Sequence, residues 1–186
     1  MGILTLIKTQ TASGSDYLDF VDGASDVVFD GTYDEYMFVC TDINPATDDT
    51  QLTFQVNATD DAGGGYDTSL ITSTFFNAYH PEDDSGQGIQ YSTTFDLVQS
   101  ASFQSISQSQ GNDADASAAC ILHIFRPSST TYVKEFYARC SSSHQANYAQ
   151  DNFIGGYVND TTAIDEIRFK MSSGAFDGVI QMYGIA

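Results

Sequence analysis

The fold of this chain is decided by its C-terminal stretch, residues 161–186, which reads TTAIDEIRFKMSSGAFDGVIQMYGIA. Apolar and basic side chains alternate over 167–171, which is the two-residue period of a strand with one buried face. A turn-rich segment, 172–178, follows, and 179–185 is apolar on both faces, as inner strands often are. We therefore predict a closing β-hairpin whose partner strands come from the rest of the chain.

Similar patterns predict strands throughout the chain. The run 35–43 is a strong strand, and 50–57 alternates cleanly, so that Thr53 and Gln55 are predicted to face outward. The most hydrophobic strand is 118–126, which is expected to pair with 131–143 through a short turn. The remaining predicted strands are 3–10, 17–22 and 150–159, the last with Gly155 and Gly156, which suggest a bulge or a close backbone approach.

Several segments are predicted to be loops or are ambiguous. The segment 69–80 fits either a strand with a bulge or a single short helix, and 88–99 fits a polar or edge strand. The Gln- and Ser-rich segment 102–117 is expected to cross the surface. The predicted turns and loops are 11–16, 58–67 with three consecutive glycines, and the acidic 81–88.

These elements define a fold class. Eight to ten strands separated by turns, with one helix or none, predict an all-β protein, and the absence of a repeat argues against solenoids and propellers. We predict an antiparallel β-sandwich of jelly-roll type. With 186 residues and no obvious linker, the chain is expected to form a single domain, 1–186.

The charge balance is strongly acidic. The chain has 25 Asp and Glu against 6 Lys and Arg, a formal net charge of −19. Such a charge repels phosphates, so we expect no nucleic-acid partner. It favours solubility over the alternative of divalent-cation binding, because scattered acidic residues seldom converge on one ion. No run approaches a membrane span and no signal peptide is predicted, so no membrane partner is expected.

The three cysteines are Cys40, Cys120 and Cys140. An odd number without close spacing is typical of neither a disulfide framework nor a zinc site. Each cysteine lies in an apolar or aromatic run, so all three are predicted to be buried free thiols, as suits a reducing cytoplasm.

No catalytic, cofactor-binding or metal-binding site is predicted. One metal alternative is the loop with His80, Glu82, Asp83 and Asp84, which is better explained as a solvated acidic loop. Asp113 and Asp115 have calcium-loop spacing but lack the glycine and terminal Glu of that motif, and His123 fits a core or interface histidine.

Candidates for catalysis are equally weak. The glycines 63–65 open no clear helix, so a phosphate-binding role is not favoured. Asp165 and Glu166 are adjacent, and neighbouring strand residues point to opposite faces, so they are not predicted to act as a carboxylate pair. We therefore expect the protein not to be an enzyme and to need no cofactor.

Four stretches together carry a resemblance that covers most of the chain. They are LIKTQTASGSDYLDF, TYDEYMFVCTDINPATDDTQLTFQVN, ILHIFRPSSTTYVKEFYAR and NFIGGYVNDTTAIDEIRFKMSSGAFDGVIQMYGI, and the closing G-x-F-x-G-x-I-x-M-Y-G-I pattern is the most specific. The chain resembles small structural proteins of tailed bacteriophages, especially marine and cyanobacterial ones. The resemblance implies a place in a virus particle, made in the host cytoplasm, and no chemical activity.

Three functions follow as hypotheses. The first is a capsid decoration or cement protein, a homotrimer on the outer surface of the virion that contacts the major capsid protein. The second is a tail fibre or tail-associated protein that binds host glycans, for which loop tyrosines are candidates. An enzyme such as a depolymerase ranks last. The candidate tyrosines are Tyr66, Tyr79, Tyr91 and Tyr148.

Overall fold

Regular structure in this protein consists of β-strands. The computed structural model describes residues 3–58 and 69–186, and no helix occurs within them. The strands are β1 (Leu4–Ser15), β2 (Leu18–Val21), β3 (Glu35–Pro45), β4 (Leu52–Ala58), β5 (Ile71–Pro81), β6 (Gly88–Tyr91), β7 (Gln104–Ser105), β8 (Ala118–Phe125), β9 (Lys134–His144), β10 (Tyr148–Val158), β11 (Ile164–Met171) and β12 (Phe176–Ile185).

The strands form two antiparallel sheets of unequal size. The larger sheet has eight strands in the order β1-β12-β3-β8-β9-β10-β5-β6, and the smaller has four in the order β2-β11-β4-β7. A single cluster of buried apolar side chains, drawn from both sheets, fills the space between them. The predicted all-β antiparallel sandwich in one domain is confirmed, whereas the jelly-roll type stays a prediction.

Aromatic rings join the two sheets at the centre of the core. Phe38 of the large sheet lies 5.3 Å from Phe169 and 5.4 Å from Phe20 of the small sheet, measured between ring centroids. Phe54 adds a fourth ring 6.5 Å from Phe169. All four side chains are fully buried, and each buried phenylalanine contributes about 1.5–3 kcal/mol to folding.

The predicted closing hairpin is wrong, because its two strands belong to opposite sheets. β11 lies between β2 and β4 in the small sheet, whereas β12 lies between β1 and β3 in the large one. The short connection crosses the edge of the sandwich, where the Ser172 amide bonds the Gln51 carbonyl and the Ala46 amide bonds the Ala175 carbonyl. β12 is an inner strand, as predicted, but only one of its faces is buried.

The segment 102–117 runs over the surface only in part, because 104–111 is largely enclosed whereas 112–115 is exposed. It contributes β7 to the small sheet and buries Ile106 together with polar side chains. Gln104 accepts a hydrogen bond from Ser73 and donates one to the Phe95 carbonyl, while Gln110 donates to the Ile43 carbonyl. The polar composition led us to predict a surface loop, but the polar groups of this part form hydrogen bonds inside the fold and can therefore be buried.

The outward placement of Thr53 and Gln55 is also wrong. Both are buried, because loops cover this face of the small sheet. The Gln55 amide donates to the Ala101 and Ser102 carbonyls, each at 3.2 Å, and the Thr53 hydroxyl bonds the Lys170 carbonyl at 2.8 Å. Polar residues of a strand can therefore be internal when a covering loop or the neighbouring strand supplies their hydrogen-bond partners.

Other local predictions were partly correct. The predicted turn 11–16 largely continues β1, with a register shift between Ala12 and Ser15. The ambiguous 69–80 is the strand β5, and the first residues of 88–99 form β6 at the sheet edge. Of the predicted loop 58–67, Ala58 ends β4 and the other residues lie outside the described part of the chain.

The prediction of three free thiols is wrong, because Cys120 and Cys140 form a disulfide. Register places Cys40, Cys120 and Cys140 side by side on β3, β8 and β9. The predicted pairing of β8 with β9 is confirmed, but spacing along the chain does not give the register that places Cys120 opposite Cys140. Cys40 remains a free buried thiol, and burial raises its pKa to about 12.

Candidate functional site

The broadest candidate surface is the side of the large sheet that faces away from the small one. Burial alternates along β3, β8, β9 and β10, so every second side chain points outward. We call the outward surface of these four central strands the outer sheet face. Its main residues are Glu35, Met37, Val39, Thr41, Ala119, Ile121, His123, Phe125, Glu135, Tyr137, Arg139, Ser141, Asp151 and Phe153.

This surface carries few of the chain's charges. The four strands contain only four acidic residues, Glu35, Asp42, Glu135 and Asp151, although the chain has 25. Apolar side chains occupy much of the remaining area, and Ile121 at the centre is 41% exposed. A charge-poor patch on a strongly acidic molecule is typical of an interaction surface.

Aromatic side chains on the outer sheet face are stacked rather than scattered. The His123 ring lies 4.5 Å from Tyr137, and Phe125 lies 5.7 Å from the same tyrosine. Farther along the sheet, Phe76 of β5 stacks on Phe153 of β10 at 5.0 Å with nearly parallel planes. Stacking holds the rings in place, which lowers the entropy cost of ordering them in a contact.

Most charges on this surface are paired. Arg139 binds both carboxylate oxygens of Asp151, with its shortest contact at 2.6 Å, and its guanidinium lies 5.0 Å from the Phe153 ring centroid. The His123 Nδ1 is hydrogen-bonded to the Glu35 carboxylate. Burial, aided by the nearby Glu35, raises the pKa of Tyr137. His123 therefore lies on the outer sheet face and not in the core, and its predicted place in an interface stays a prediction.

A shallow depression of about 340 Å³ lies in the middle of the outer sheet face. Small side chains leave this space, because Thr41, Ala119 and Ser141 lie in the row next to the larger Val39 and Ile121, which are paired with each other. Its lining is mainly apolar, so it suits an aliphatic or aromatic side chain from another molecule.

A second concave region lies where the ends of β5, β9 and β10 meet. This cleft of about 580 Å³ is lined by Glu82, Asp113 and Asp115, among others. On its wall His144 stacks on Tyr148 at 4.9 Å, and Tyr79 lies 6.2 Å from Tyr148 on the same sheet. Burial lowers the pKa of His144, against the opposing effect of two nearby aspartates.

The predicted tyrosine candidates are therefore divided. Tyr79 and Tyr148 come together, with His144 as a partner that the sequence did not single out. Tyr91 lies apart on the edge strand β6, where its hydroxyl bonds Asp96 at 2.7 Å. Tyr66, like the glycines 63–65, lies outside the described residues.

The residues that the sequence suggested as alternative metal ligands do not come together into a metal site in the described part of the chain. His80 and Asp84 approach to 3.4 Å at an exposed position, and Asp113 and Asp115 are exposed. Within residues 3–58 and 69–186 there is no group of three or more metal-binding side chains. That the whole chain lacks a metal site stays a prediction.

One carboxyl cluster was not anticipated. Asp19 of β2 accepts two hydrogen bonds of 2.6 Å from Arg168 of β11, and Glu166 lies 3.9 Å from the same guanidinium. Burial, reinforced by Asp19, raises the pKa of Glu166 to about 7. The sequence argument considered only the neighbouring Asp165 and rejected that pair, whereas the structure places Asp19 of another strand close to Glu166. Arg168 occupies the cluster, which therefore serves to join β2 to β11.

Comparisons with models of protein families, with curated proteins and with solved structures found no match to this chain. Among the described residues, none belongs to a helix with the length and apolar character needed to cross a membrane.

Proposed function

We propose that this chain is a non-enzymatic structural protein of a tailed-bacteriophage virion, which decorates the outside of the capsid as a homo-oligomer, with a trimer as the expected state. The observation that carries this proposal is the charge-poor, aromatic outer sheet face on a molecule of net charge −19. A protein whose work is assembly needs such a surface and needs no reactive centre.

Electrostatics favours this surface for contacts between copies. Two acidic molecules repel each other, so a stable contact must bury a region with few unpaired acids. Strand spacing gives the outer sheet face an area of about 650 Å² and the whole eight-stranded face about 1,200 Å², compared with roughly 800 Å² per partner in a standard interface. Paired charges such as Arg139–Asp151 can remain at the rim, where they cost little.

The location on a virus particle is supported by the sequence resemblance. The stretches that carry it include β3 and parts of β8, β9 and β10, which form much of the outer sheet face. A cement protein acts by linking its neighbours, including the major capsid protein, so its absence weakens the particle without stopping DNA packaging.

The test compares two variants of equal charge change in phage particles. Ile121→Lys places a charge in the centre of the outer sheet face, whereas Val98→Lys changes a residue that is 82% exposed in a loop. We expect particles with V98K to carry normal amounts of the protein and those with I121K to lack it and to rupture at lower temperature. Electron microscopy of labelled protein should show it on the head. Equal incorporation of both variants, or label on the tail, would contradict the proposal.

The cleft between β5, β9 and β10 favours a second candidate, a tail-associated protein that binds host glycans. Aromatic rings beside carboxylates are the groups that hold sugar rings and their hydroxyls. The test is binding of the purified protein to host surface polysaccharide, with Tyr148→Ala as the variant. Binding that Y148A abolishes, together with loss of adsorption by particles lacking the protein, would favour this function.

A further inference from the structure

The four edges of the two sheets differ sharply in length. The edge strands β2, β6 and β7 have 4, 4 and 2 residues, whereas β1 has 12. Short edge strands are a common protection against unwanted pairing with another chain. Three edges of this protein are protected in that way, and the edge formed by β1 is not.

The edge opposite β1 is also covered. Where β6 does not extend along β5, a loop covers the backbone of β5 instead. The Ile71 amide donates a hydrogen bond to the Ser100 carbonyl at 2.8 Å, and the Ser73 amide donates one to the Leu97 carbonyl at 2.9 Å. The edge strand β1 pairs with β12 on one side only. Apart from that ladder, and within the described residues, its only bonded backbone amides are those of Ser13 and Gly14, which donate to side-chain oxygens. Alternate backbone groups of an edge strand face outward, so β1 presents a row of them that a further strand could pair.

The composition of β1 is exceptional in this chain. Residues 1–15 contain no Asp or Glu, and Lys8 is their one charged side chain, although the remainder holds all 25 acids. Apolar side chains at the start of the strand are exposed: Ile3 by 76%, Leu4 by 50% and Leu6 by 51%. Exposed apolar side chains beside unpaired backbone groups indicate a surface that another strand covers.

We propose that β1 pairs antiparallel with β1 of a second copy, so that two eight-stranded sheets join edge to edge. A second copy is favoured because antiparallel pairing of identical strands has two-fold symmetry and needs only one surface. It is also favoured by charge, because this acid-free segment is where two molecules of −19 can approach with least repulsion. A basic partner would instead be attracted to the acidic parts of the surface.

The pairing has a consequence for assembly. It joins the two large sheets at β1, so that their outward surfaces form one continuous surface of twice the area, which faces the next molecule. Its two-fold symmetry differs from that of a trimer, so it would link trimers or form dimers. The inference depends on the proposed function for its biological role, but the pairing is a property of the purified protein.

The first test is the mass of purified assemblies by sedimentation, measured over a range of protein concentrations. Leu4→Lys/Leu6→Lys adds two like charges to each β1, and the control Ile89→Lys adds one charge to another edge strand, β6, where Ile89 is 78% exposed. We expect the mass of the wild-type assembly to fall by a factor of two in L4K/L6K and to be unchanged in I89K. An unchanged mass in folded L4K/L6K would overturn the proposal, as would a wild-type protein that remains monomeric at every concentration.

The second test needs no variant and therefore does not depend on how well L4K/L6K folds. Hydrogen exchange is measured on the wild type above and below the concentration at which the mass doubles. Alternate amides over 4–12 should be protected at least tenfold more in the assembled sample, and unchanged exchange there would overturn the pairing. Protection of β1 that appears only in phage particles would show that a strand of another protein covers it, which also overturns pairing with a second copy.

The two proposals can fail separately. If β1 pairs in solution but labelled protein is missing from particles, the proposed function is wrong and the pairing stands. If the protein is on the capsid but L4K/L6K assembles like the wild type, the pairing is wrong and the proposed function stands.

Discussion

Gly156 of β10 lies directly opposite Ser73 of β5, and the two backbones approach so closely that a β-carbon on Gly156 would lie 2.8 Å from the Ser73 Cα. It would also overlap the Thr72 carbonyl oxygen. The close backbone approach predicted from the two glycines is therefore confirmed at Gly156. At Gly155 the nearest atom to an added β-carbon is the Thr74 hydroxyl oxygen at 4.0 Å, so a side chain fits there.

We predict that Gly156→Ala and Gly155→Ala have opposite consequences, although the two substitutions are chemically identical. G156A requires the backbones of β5 and β10 to separate, which should lower the free energy of unfolding by about 2–3 kcal/mol. G155A should be neutral or stabilise by up to about 1 kcal/mol, because alanine restricts the unfolded chain. Urea unfolding of both variants measures the difference, and equal effects would contradict the close approach.

The disulfide between Cys120 and Cys140 gives a second prediction. The intact protein, analysed without reductant, should be two hydrogen atoms lighter than the fully reduced chain. The cross-link closes a loop with a sequence separation of 20, so its removal in Cys120→Ala/Cys140→Ala should cost about 3 kcal/mol. In unfolded, unreduced protein a thiol reagent should modify one cysteine, and modification of three would show that the pair is reduced.

Cys40 provides a separate test of burial. Because burial raises its thiol pKa to about 12, almost no thiolate is present at neutral pH, and the side chain is fully enclosed. An alkylating reagent should therefore leave Cys40 unmodified in the native protein and modify it at the rate of unfolding. Rapid native-state modification, at a rate unaffected by stabilising conditions, would contradict this placement.

Periodicity in the sequence predicted most of the strands because it depends on neighbouring residues only. The sequence of β12, which is apolar on both faces, also indicated an inner strand. Its second apolar side includes Tyr183, which lies opposite Met37 of β3 on the outward surface of the large sheet. Pairing between distant strands could not be predicted in the same way. The connection after β11 is equally compatible with a hairpin and with a crossing to the other sheet, and register alone brings Cys120 beside Cys140.

The buried polar segment shows a different limit. Gln104, Ser107 and Gln110 have the composition of a surface loop, yet all three are enclosed. Their hydrogen-bond partners, such as Ser73 and the Ile43 carbonyl, are distant in sequence. Whether a polar side chain can be buried depends on those partners, so composition alone does not distinguish the two cases.

Glu166 should make the stability of the protein depend on pH. Its pKa is raised from the usual 4.5 to about 7, first by burial and then by the nearby Asp19, while Arg168 opposes the change. A carboxyl group with a raised pKa binds its proton more tightly in the folded state. Its favourable contribution is therefore complete below about pH 4.5 and is lost as the pH rises through about 7.

Glu166→Gln keeps the shape of the side chain but cannot ionise, so it should avoid the cost that the wild type bears at high pH. We expect E166Q to be more stable than the wild type by about 1–3 kcal/mol at pH 8 and to match it within about 0.5 kcal/mol at pH 4. Chemical unfolding of both proteins from pH 4 to pH 9 gives this difference directly, because contributions from the other acidic residues cancel.

Glu135→Gln, in the exposed part of β9, controls for the loss of one negative charge from a chain of −19. A difference between E166Q and the wild type that stays constant across the range would show that Glu166 ionises equally in both states, and that the contacts of Arg168 offset its burial.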